Sequence, residues 1–424
     1  MIDKDFLDNY RPKLKTKQKE ALKLMVKGKN VFITGPGGVG KSAIIKIFRK
    51  IATPYKKVVV TSTTGTSAIQ LQGVTLHSYL GIGFGNTTVE QMTEKILGWG
   101  WLKKRWRELE CLIIDEISML SPELFDKLYT IAQLVRGNGK PFGGIQLILS
   151  GDFLQLPCVG IDGFCFQSKA WKKCIKDVVY LNHIIRQEEK ELQKCLNNIR
   201  MGKITKEDKK LLDSRVGIDL TNSLGIKPTK LFSKNYDVNR INELELDNLA
   251  NSGVEFYEYS SEYILFSKNR NVIQKFKKNS NLVDCLQLCK GAQVMLIVNL
   301  DVENGLANGS RGVISGFTPD DLPIVKFLNG KESVIENYTW EVKENDVKVL
   351  NVTQIPLKVA YAISIHKSQG ASLDYAEIDL ESVFEYGQAY VGLSRIKSLK
   401  GLSIKSIDYS KIIAHPAAVE FYSE

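Results

Sequence analysis

Short apolar runs rich in branched side chains recur along the first half of the chain, and longer mixed segments separate them. Five runs are apolar on both faces, as buried strands of a parallel sheet are: 31–34, 58–61, 112–114, 146–149 and 178–181. Most segments between them are long enough for crossover helices. The pattern predicts one α/β domain with a parallel sheet over residues of about 15–182.

The second half of the chain starts a similar pattern and interrupts it. Residues 230–233, 360–365 and 376–380 are predicted strands of a second α/β unit. Between about 250 and 355 the runs resemble antiparallel strands, for example at 291–299 and 312–317. Asn329 and Gly330 separate two further runs, and this pair favours a type I′ hairpin turn. A small antiparallel β barrel inserted into the second unit is therefore predicted.

Length and charge narrow the class of protein. A chain of 424 residues suits two or more domains. The 58 Lys and Arg against 47 Asp and Glu leave a formal charge of +11, which suits a polyanion, an anionic membrane surface, or a solvated Lys-rich surface. No stretch approaches the ~18–20 apolar residues of a membrane span, and the segment 1–10 lacks the apolar region of a secretory signal.

The cysteines indicate a reducing compartment. The chain has seven, an odd number, and none forms a C-x-x-C pair. We interpret them as reduced thiols of a cytoplasmic or nuclear protein, not a secreted one. A zinc or iron–sulfur site is the lesser alternative, and its ligands would be Cys158, Cys165, Cys174 and Cys195.

The segment from Gly35 to Ser42 matches G-x-x-x-x-G-K-[ST] between a predicted strand and a predicted helix. Glycines let the backbone N–H groups wrap around phosphates at a helix N-terminus. Lys41 would reach the outer phosphates and Ser42 would ligate Mg²⁺. The loop's glycines are Gly35, Gly37, Gly38 and Gly40.

Acidic and polar groups follow the next apolar strands. Asp115 can hold Mg²⁺ through water, and Glu116 can polarise an attacking water, which favours hydrolysis over a kinase reaction. Gln155 can sense the γ-phosphate or be part of a polar turn. Arg186 and Arg395 are candidate arginine fingers, although most arginines form surface ion pairs.

Two further segments allow competing interpretations. The stretch 98–107 interleaves three Trp with four basic residues and could bind nucleic acid, although an amphipathic helix with a Trp anchor is favoured. The basic run 267–279 is read as a solvated loop. His77 and His366 lack the partners of a metal site or a catalytic triad, so we read both as hydrogen-bonding groups.

These motifs occur together in an order that resembles one family. They are Thr16 to Gln18, Gly35 to Ser42, Thr61 to Ala68, Gly73 to Ser78, Asp115 to Ser118, Pro141 to Pro157, Arg186 to Gln187, Asn308 to Gly312, Ile365 to Gly370 and Gln388 to Arg395. The chain resembles superfamily-1 helicases of the 5′-to-3′ branch, and more closely the petite-integration-frequency (PIF-type) DNA helicases. The block from Pro141 to Pro157 is particular to that family. One departure is Pro157-Cys158, where the family usually has Pro-Pro.

The resemblance implies residue roles. Gln18 would contact adenine, Gln155 would sense the γ-phosphate, and Arg186 and Arg395 would be the fingers. The implied catalytic set is Lys41, Asp115, Glu116, Gln155, Arg186 and Arg395, with Mg²⁺ on Ser42 and Asp115. Further nucleotide contacts are implied for Gly35, Gly37, Gly38, Gly40, Gln369 and Gly370. Contacts with single-stranded DNA are implied for Thr64, Thr75, His77, Ser78, His366 and Ser368.

The resemblance also implies an architecture of two RecA-like P-loop domains. The first would span 1–182 with a small wedge insertion at about 65–85; the second would comprise 183–250 and 356–424, and an SH3-like β barrel would occupy 251–355. Because the chain begins almost at Gln18, we expect it to lack the long N-terminal extension of eukaryotic members. Such a compact core suits a bacterial, phage or viral source.

The function implied is an ATP- and Mg²⁺-dependent 5′-to-3′ DNA helicase for replication, repair or recombination. Its partners would be single-stranded and tailed duplex DNA, with forked or G-quadruplex DNA as further candidates and no membrane. It would act as a monomer, or as a dimer on DNA. Three alternatives stay open: a RecD-like subunit of a larger complex, an RNA-directed translocase, and a non-motor nucleic-acid-binding protein.

Overall fold

The structure is a computed structural model that describes residues 13–83, 85–220, 227–267, 269–280, 282–301, 304, 306, 308–344 and 347–423. The chain divides into two compact units. Unit 1 comprises Met1–Arg186 and Ala414–Glu424, and unit 2 comprises Gln187–Ile413. These units differ from the predicted domains in two places. Residues 183–186 and 414–424, which were predicted to belong to the second domain, group with unit 1. The segment 1–10, used above to argue against secretion, lies outside the described residues.

Unit 1 contains the predicted parallel sheet. Its strands are β1 (Val31–Thr34), β2 (Val58–Ser62), β3 (Val74–Thr75), β4 (Cys111–Asp115), β5 (Gln146–Gly151) and β6 (Asp177–Tyr180). They run parallel in the order β3-β2-β4-β5-β1-β6. All five predicted strands are confirmed. β1, β4 and β5 are buried along their whole length, which explains their nearly continuous apolar sequence.

The first segment of unit 1 also contains α-helices, of which some pack on this sheet and others on neighbouring helices. They are α1 (Thr16–Val26), α2 (Lys41–Ala52), α3 (Gly65–Gln70), α4 (Leu76–Leu80), α5 (Val89–Gly98), α6 (Gly100–Glu108), α7 (Pro122–Arg136) and α8 (Lys169–Cys174). Helix α7 shows how the sequence sets the ends of a helix. The Ser121 side chain accepts from Leu124 N–H, Pro122 occupies the first turn, and Gly137 ends the helix at φ 65°.

Helix α6 contains most of the Trp-rich stretch and is amphipathic, as favoured above. Trp106 is completely buried and donates from Nε1 to the Leu80 carbonyl at 3.0 Å. Arg105 is also buried and donates to the Tyr79 carbonyl at 2.6 Å. Trp99 and Trp101 remain exposed by 54% and 46%. The helix is therefore anchored on α4 through two side chains.

Unit 2 contains a smaller parallel sheet. Its strands are β7 (Thr229–Phe232), β18 (Ala362–Ser364), β19 (Ala376–Leu380) and β20 (Leu402–Ile407), in the order β18-β7-β19-β20. The helices are α9 (Lys190–Arg200), α10 (Lys206–Asp213), α11 (Asn235–Ala250), α12 (Asn271–Asn279) and α13 (Gln388–Leu393). Most of the predicted basic loop 267–279 is helix α12. The predicted strand 360–365 is shorter, because Ala360 and Tyr361 lie between two strands of different sheets.

Antiparallel strands occupy the predicted insertion. They are β8 (Phe256–Ser260), β9 (Glu262–Leu265), β10 (Cys285–Cys289), β11 (Gln293–Leu296), β12 (Arg311–Phe317), β13 (Pro323–Phe327), β14 (Glu332–Val334), β15 (Tyr338–Glu344), β16 (Val347–Gln354) and β17 (Leu357–Val359). They form sheets of order β10-β8, β14-β13-β12-β11-β17 and β15-β16-β9. One apolar cluster, which includes Leu288, Val294, Val325 and Phe327, fills the core.

The hairpin at Asn329-Gly330 is confirmed between β13 and β14, but the predicted type I′ turn is wrong. That turn needs positive φ at both central residues, and of this pair only Gly330 has it, at 83°. The Gly330 N–H donates to the Phe327 carbonyl and Phe327 N–H donates to Lys331. This is the pattern of a longer loop with a glycine bulge.

The chain ends in helix α14 (Pro416–Phe421), which belongs to unit 1. All seven cysteines are free thiols. Burial raises the pKa of Cys111 to about 12, so this thiol is protonated at neutral pH. Within the described ranges no helix is both long and apolar enough to cross a membrane.

Candidate nucleotide and nucleic-acid site

Three neighbouring strands of unit 1 direct polar loops to one edge of the sheet. The sheet order places β5 between β1 and β4, and all three run in the same direction. Gly35 follows β1, Glu116 follows β4, and Asp152 follows β5. Open parallel sheets bind ligands at this carboxyl edge. The structure thus brings together the groups that the sequence predicted from separate motifs.

The loop from Gly35 to Gly40 is fixed by close packing and by backbone conformations that suit glycine. Gly38 and Gly40 have φ of 81° and 86°. A Cβ on Gly35 would lie 2.2 Å from the Leu181 carbonyl oxygen, and one on Gly38 would lie 2.6 Å from Arg186 Cβ. The Lys41 ammonium donates to the carbonyls of Gly35 and Pro36 at 2.7 and 2.9 Å. The lysine therefore lies along the loop that it is predicted to serve.

Gln18, the predicted adenine contact, is buried beside the same loop. Its Nε2 donates to the Val39 carbonyl at 3.0 Å, and its Oε1 accepts from Lys15 N–H at 3.0 Å. A Cβ on Gly40 would lie 2.7 Å from that Nε2. The glutamine therefore fixes the start of α1 against the loop, and this contact is additional to the role predicted for it.

Asp115 and Glu116 end β4 in two different environments. Asp115 is buried and accepts a hydrogen bond from Ser67 Oγ at 2.9 Å. Glu116 is partly exposed and has a left-handed backbone, φ 53° and ψ 47°, which is strained for a residue with a side chain. The Thr63 hydroxyl donates to the Glu116 carbonyl at 2.7 Å. Strain held in place by neighbours is common at catalytic positions.

The loop after β5 packs directly on this acidic pair. A Cβ on Gly151 would lie 2.8 Å from Ile117 N, so only glycine fits here. Asp152 is completely buried and its Oδ1 accepts from Leu154 N–H at 3.2 Å. Gln155, the predicted γ-phosphate sensor, is buried and its N–H donates to the Asp152 carbonyl at 3.0 Å.

Ser42 and Asp115 offer oxygen donors of the kind that Mg²⁺ prefers. Ser42 is exposed at the second position of α2 and Asp115 is the last residue of β4. No group of three or more His, Cys, Asp or Glu side chains suited to a metal occurs among the residues that the structure describes. Such a sparse donor set fits a Mg²⁺ ion that takes most of its ligands from substrate phosphates and water.

Arg186 and Arg395, the two candidate fingers, lie in different units. Arg186 is the last residue of the first segment of unit 1, next to Gly38. Arg395 belongs to unit 2 and is only 2% exposed. Its Nε donates to the Val391 carbonyl at 2.9 Å and one terminal nitrogen donates to Ser394 Oγ at 2.7 Å. This guanidinium therefore contacts the end of its own helix, α13.

Gln369, predicted as a further nucleotide contact, has a buried amide nitrogen. Its Nε2 has no hydrogen-bond partner among the described residues, although the residue is only 6% exposed. An unsatisfied buried amide is costly, and such groups are often those that a ligand completes. The next residue, Gly370, turns the chain at φ 79°.

Comparisons with known proteins identify the family. Residues 13–210 match the model described as PIF1-like helicase, and residues 277–317 match that of the DNA helicase Pif1 2B domain. Uncharacterized protein 030L of Invertebrate iridescent virus 6 is 38% identical over 98% of this chain and 95% of its own length. ATP-dependent DNA helicase PIF1 of Xenopus laevis is 41% identical over 97% of this chain. This chain belongs to the PIF1-like helicase family.

A solved relative supports the same conclusion over nearly the full length. Pif1 from Bacteroides sp in complex with ADP-AlF4 shares 30% identity and a TM-score of 0.79, over 97% of this chain and 96% of that one. The Bacteroides protein is also known in complex with ADP-AlF3 and single-stranded DNA, with a TM-score of 0.65. The chain spans 64% of the Xenopus protein's length.

The DNA contacts predicted for this PIF1-like chain fall on two sets of loops. In unit 1, Thr64 caps α3 by accepting from Ser67 N–H at 3.3 Å, while Thr75, His77 and Ser78 lie at the start of α4, partly exposed. Burial lowers the pKa of His77 below the usual 6.5, which keeps the ring neutral at pH 7. A neutral imidazole can hydrogen-bond to DNA without adding charge.

In unit 2, the predicted DNA contacts His366 and Ser368 already interact with other residues of the unit. His366 Nε2 lies 3.1 Å from Glu385 Oε2. Ser368 is completely buried and its hydroxyl donates to the Ile365 carbonyl at 2.6 Å. A contact between the Ser368 hydroxyl and DNA would therefore require this loop to rearrange.

Two residues to which the sequence assigned no role hold the predicted ones in place. Ser67 is the hydrogen-bond donor to Asp115, although it lies 48 positions away. Gln187 Nε2 donates to the carbonyls of Ser394 and Ile396 at 3.2 and 2.6 Å, on both sides of Arg395. The family motif Arg-Gln at 186–187 pointed to Gln187 but not to this contact.

Proposed function

We propose that this chain hydrolyses ATP in order to move 5′ to 3′ along single-stranded DNA and to unwind duplex DNA. The observation that carries the proposal is the position of the phosphate loop and of Asp115 and Glu116 at the carboxyl ends of β1 and β4, on either side of β5, in a chain of the PIF1-like helicase family. The 5′-to-3′ direction rests on the family resemblance.

The geometry of unit 1 supports a hydrolytic step. The loop N–H groups and Lys41 would bind the phosphates, and Gln18 would contact adenine. Ser42 and Asp115 would hold Mg²⁺, which when bound neutralises phosphate charge. Glu116 lies on the strained turn after β4 and would polarise the attacking water, while Gln155 would contact the γ-phosphate.

Arginines would stabilise the charge that develops on the transferring phosphate. Arg186 is already placed beside the phosphate loop, and Arg395 would leave its contacts on α13 when ATP and DNA are both bound. The orphan amide of Gln369 would gain a partner in the same event. Separation of one base-pair step costs about 1.4 kcal/mol, which is less than the free energy released when one ATP is hydrolysed. One ATP per base-pair step would therefore be enough.

The remaining parts of the proposal concern DNA. Thr64, Thr75, His77, Ser78, His366 and Ser368 would border the single-strand path, on which the surplus of positive charge gives salt-sensitive binding. Residues of about 65–85 would form the wedge, and the antiparallel region 251–355 would be the SH3-like barrel. The protein would act on tailed or forked duplexes as a monomer, or as a dimer on DNA.

Unwinding of matched tailed duplexes tests the function. One labelled duplex is prepared with a 5′ single-stranded tail, a 3′ tail, or no tail, and is incubated with ATP. We expect separation of the 5′-tailed duplex only. Equal separation of the 3′-tailed duplex would overturn the direction. If an RNA tail of the same sequence replaces the DNA tail without loss, the motor is directed to RNA.

A further inference from the structure

The last segment of the chain leaves unit 2 and packs on the nucleotide-binding unit. Residues Gln187–Ile413 form unit 2, yet Ala414–Glu424 belongs to unit 1. Helix α14 begins with Pro416 in its first turn, and the His415 side chain accepts from Ala417 N–H at 3.3 Å. The chain therefore passes between the units twice, after Arg186 and after Ile413.

Aromatic contacts anchor this segment. The Phe421 ring centroid lies 4.5 Å from that of Phe166 and 5.3 Å from that of Phe153. The His415 ring packs edge-on against Phe164 at 4.9 Å, and its Nε2 lies 3.0 Å from Asp162 Oδ1. Edge-to-face ring pairs such as Phe421–Phe153 and His415–Phe164 contribute stability beyond that of the area they bury. The position of the next residue, Tyr422, is consequently well defined.

The Tyr422 hydroxyl connects two loops of the nucleotide site. It lies 2.5 Å from Thr34 Oγ1 and accepts from Phe153 N–H at 3.2 Å. Thr34 is the last residue of β1 and directly precedes Gly35 of the phosphate loop. Phe153 lies two residues before Gln155, in the loop after β5. Thr34 and Phe153 are both almost completely buried.

We propose that Tyr422 is a positioning residue for ATP hydrolysis, which sets the separation between the phosphate loop and the Gln155 loop. The inference rests on the proposed ATPase function and extends it to a residue far from every sequence motif. The Tyr422 hydroxyl accepts a hydrogen bond from the backbone of the Gln155 loop and is hydrogen-bonded to the Thr34 hydroxyl beside the phosphate loop. Because the same oxygen makes both contacts, it links the positions of the two loops. Because catalysis depends on the placement of the reacting groups to within about 1 Å, we expect an error in this spacing to lower the rate.

The test removes only the hydroxyl. In Tyr422→Phe the ring packing stays, so ATP affinity and melting temperature should change little while kcat for ATP hydrolysis falls about 3- to 10-fold. The matched control is Tyr409→Phe, since the Tyr409 hydroxyl also makes a side-chain hydrogen bond, to Asp213 at 2.7 Å, but within unit 2. The control should keep wild-type kcat.

A double-mutant cycle identifies the contact. Thr34→Val removes the partner hydroxyl at nearly constant shape, and Thr34→Ser retains it. We expect Thr34→Val to lower kcat, Thr34→Ser to restore most of it, and the Thr34→Val/Tyr422→Phe double variant to be no slower than the slower single variant. Additive effects, or a kcat for Tyr422→Phe equal to that of Tyr409→Phe, would overturn the inference.

Amide hydrogen exchange gives a readout that does not need activity. Exchange at the phosphate loop and at residues 153–155 should rise together in Tyr422→Phe and remain unchanged in Tyr409→Phe. If wild-type protein does not hydrolyse ATP, the proposed function fails, whereas the exchange result still decides whether Tyr422 fixes the two loops. Unchanged exchange at both loops contradicts the positioning role.

Discussion

The two units present their predicted nucleotide contacts in opposite ways. In unit 1, the phosphate loop packs against Leu181 and Arg186 and the β5 loop packs against Ile117, so closely that a Cβ on the glycine at each contact would lie at or below 2.8 Å. In unit 2, Arg395 donates to Val391 and Ser394 of its own helix, and the Gln369 amide is buried without a partner among the described residues.

From this difference we expect ATP affinity and the rate of ATP hydrolysis to depend on different units. A phosphate loop whose backbone is already fixed binds nucleotide with little backbone reorganisation, so we expect unit 1 to supply most of the ATP affinity. Groups that leave internal contacts only in the reacting state contribute to the rate and little to binding. We therefore expect variants of unit 1's loop to affect ATP affinity, and variants around Arg395 to affect turnover.

Replacement of the proposed base should have the largest effect. Glu116→Gln keeps the size of the side chain but cannot take up a proton, so ATP hydrolysis should fall by about 10³-fold with ATP binding retained. Nucleotide affinity by fluorescence titration and turnover by phosphate release measure the two parts. Glu123→Gln, at an exposed carboxylate on α7, is the matched control and should leave both unchanged.

Loss of Arg395 in unit 2 should have the second largest effect on ATP hydrolysis. Arg395→Ala should reduce turnover by about 10²- to 10³-fold with little change in ATP or DNA affinity, because the proposed transition-state donor is removed. Lysine should not restore the rate, since it lacks the forked donors. Lys397→Ala, at an exposed pair with Asp374, serves as control. Near-normal turnover in Arg395→Ala would remove this residue from the site.

A methyl group on the phosphate loop tests its preassembly. In Gly38→Ala the new Cβ would meet Arg186 at 2.6 Å, while in Gly28→Ala, at a similar φ of 75°, it would meet nothing within 4 Å. Both variants incur the backbone cost of about 1–2 kcal/mol. Only Gly38→Ala should weaken ATP binding, by about 10-fold or more, because it displaces the loop. Equal ATP affinity in the two variants contradicts a preassembled loop.

Loss of the Gln187 hydrogen bonds on either side of Arg395 should have a smaller effect on turnover. Gln187→Glu has nearly the same shape but cannot donate to the carbonyls of Ser394 and Ile396. We expect turnover to fall about 10-fold, with ATP affinity retained. Glu188→Gln, at the exposed neighbouring residue, should behave as wild type. A melting curve shows whether the variant remains folded.

The pH response of His77 is the smallest predicted effect. Burial lowers the pKa of His77 in the folded chain, so the unfolded chain binds more protons near and below pH 6.5. Its contribution to the free energy of unfolding is present above pH 6.5 and is lost as pH falls through the folded pKa. His77→Gln should flatten this part of the stability–pH curve, measured by chemical denaturation. An unchanged slope would show that His77 is not the group responsible.

Sequence alone predicted the strands of unit 1 and the loops that follow them because their signals are local. The run 31–34 and the glycines after it specify a strand and a loop by composition alone. The predicted type I′ turn at Asn329-Gly330 was wrong because the dipeptide favours a two-residue loop but does not determine the loop length. Ser67, Gln187 and Tyr422 escaped prediction because their partners lie 48, 207 and 388 positions away, and only the tertiary fold brings them together.

The decisive measurement is steady-state ATP hydrolysis by the wild type and by Arg395→Ala, each with and without a short single-stranded DNA. If the unit 2 groups reach the nucleotide only when DNA is bound, DNA should stimulate wild-type turnover many-fold, and Arg395→Ala should bind ATP normally but lose the stimulation. A wild-type rate that ignores DNA, or full stimulation in the variant, would contradict the division between preassembled binding in unit 1 and DNA-dependent catalysis from unit 2.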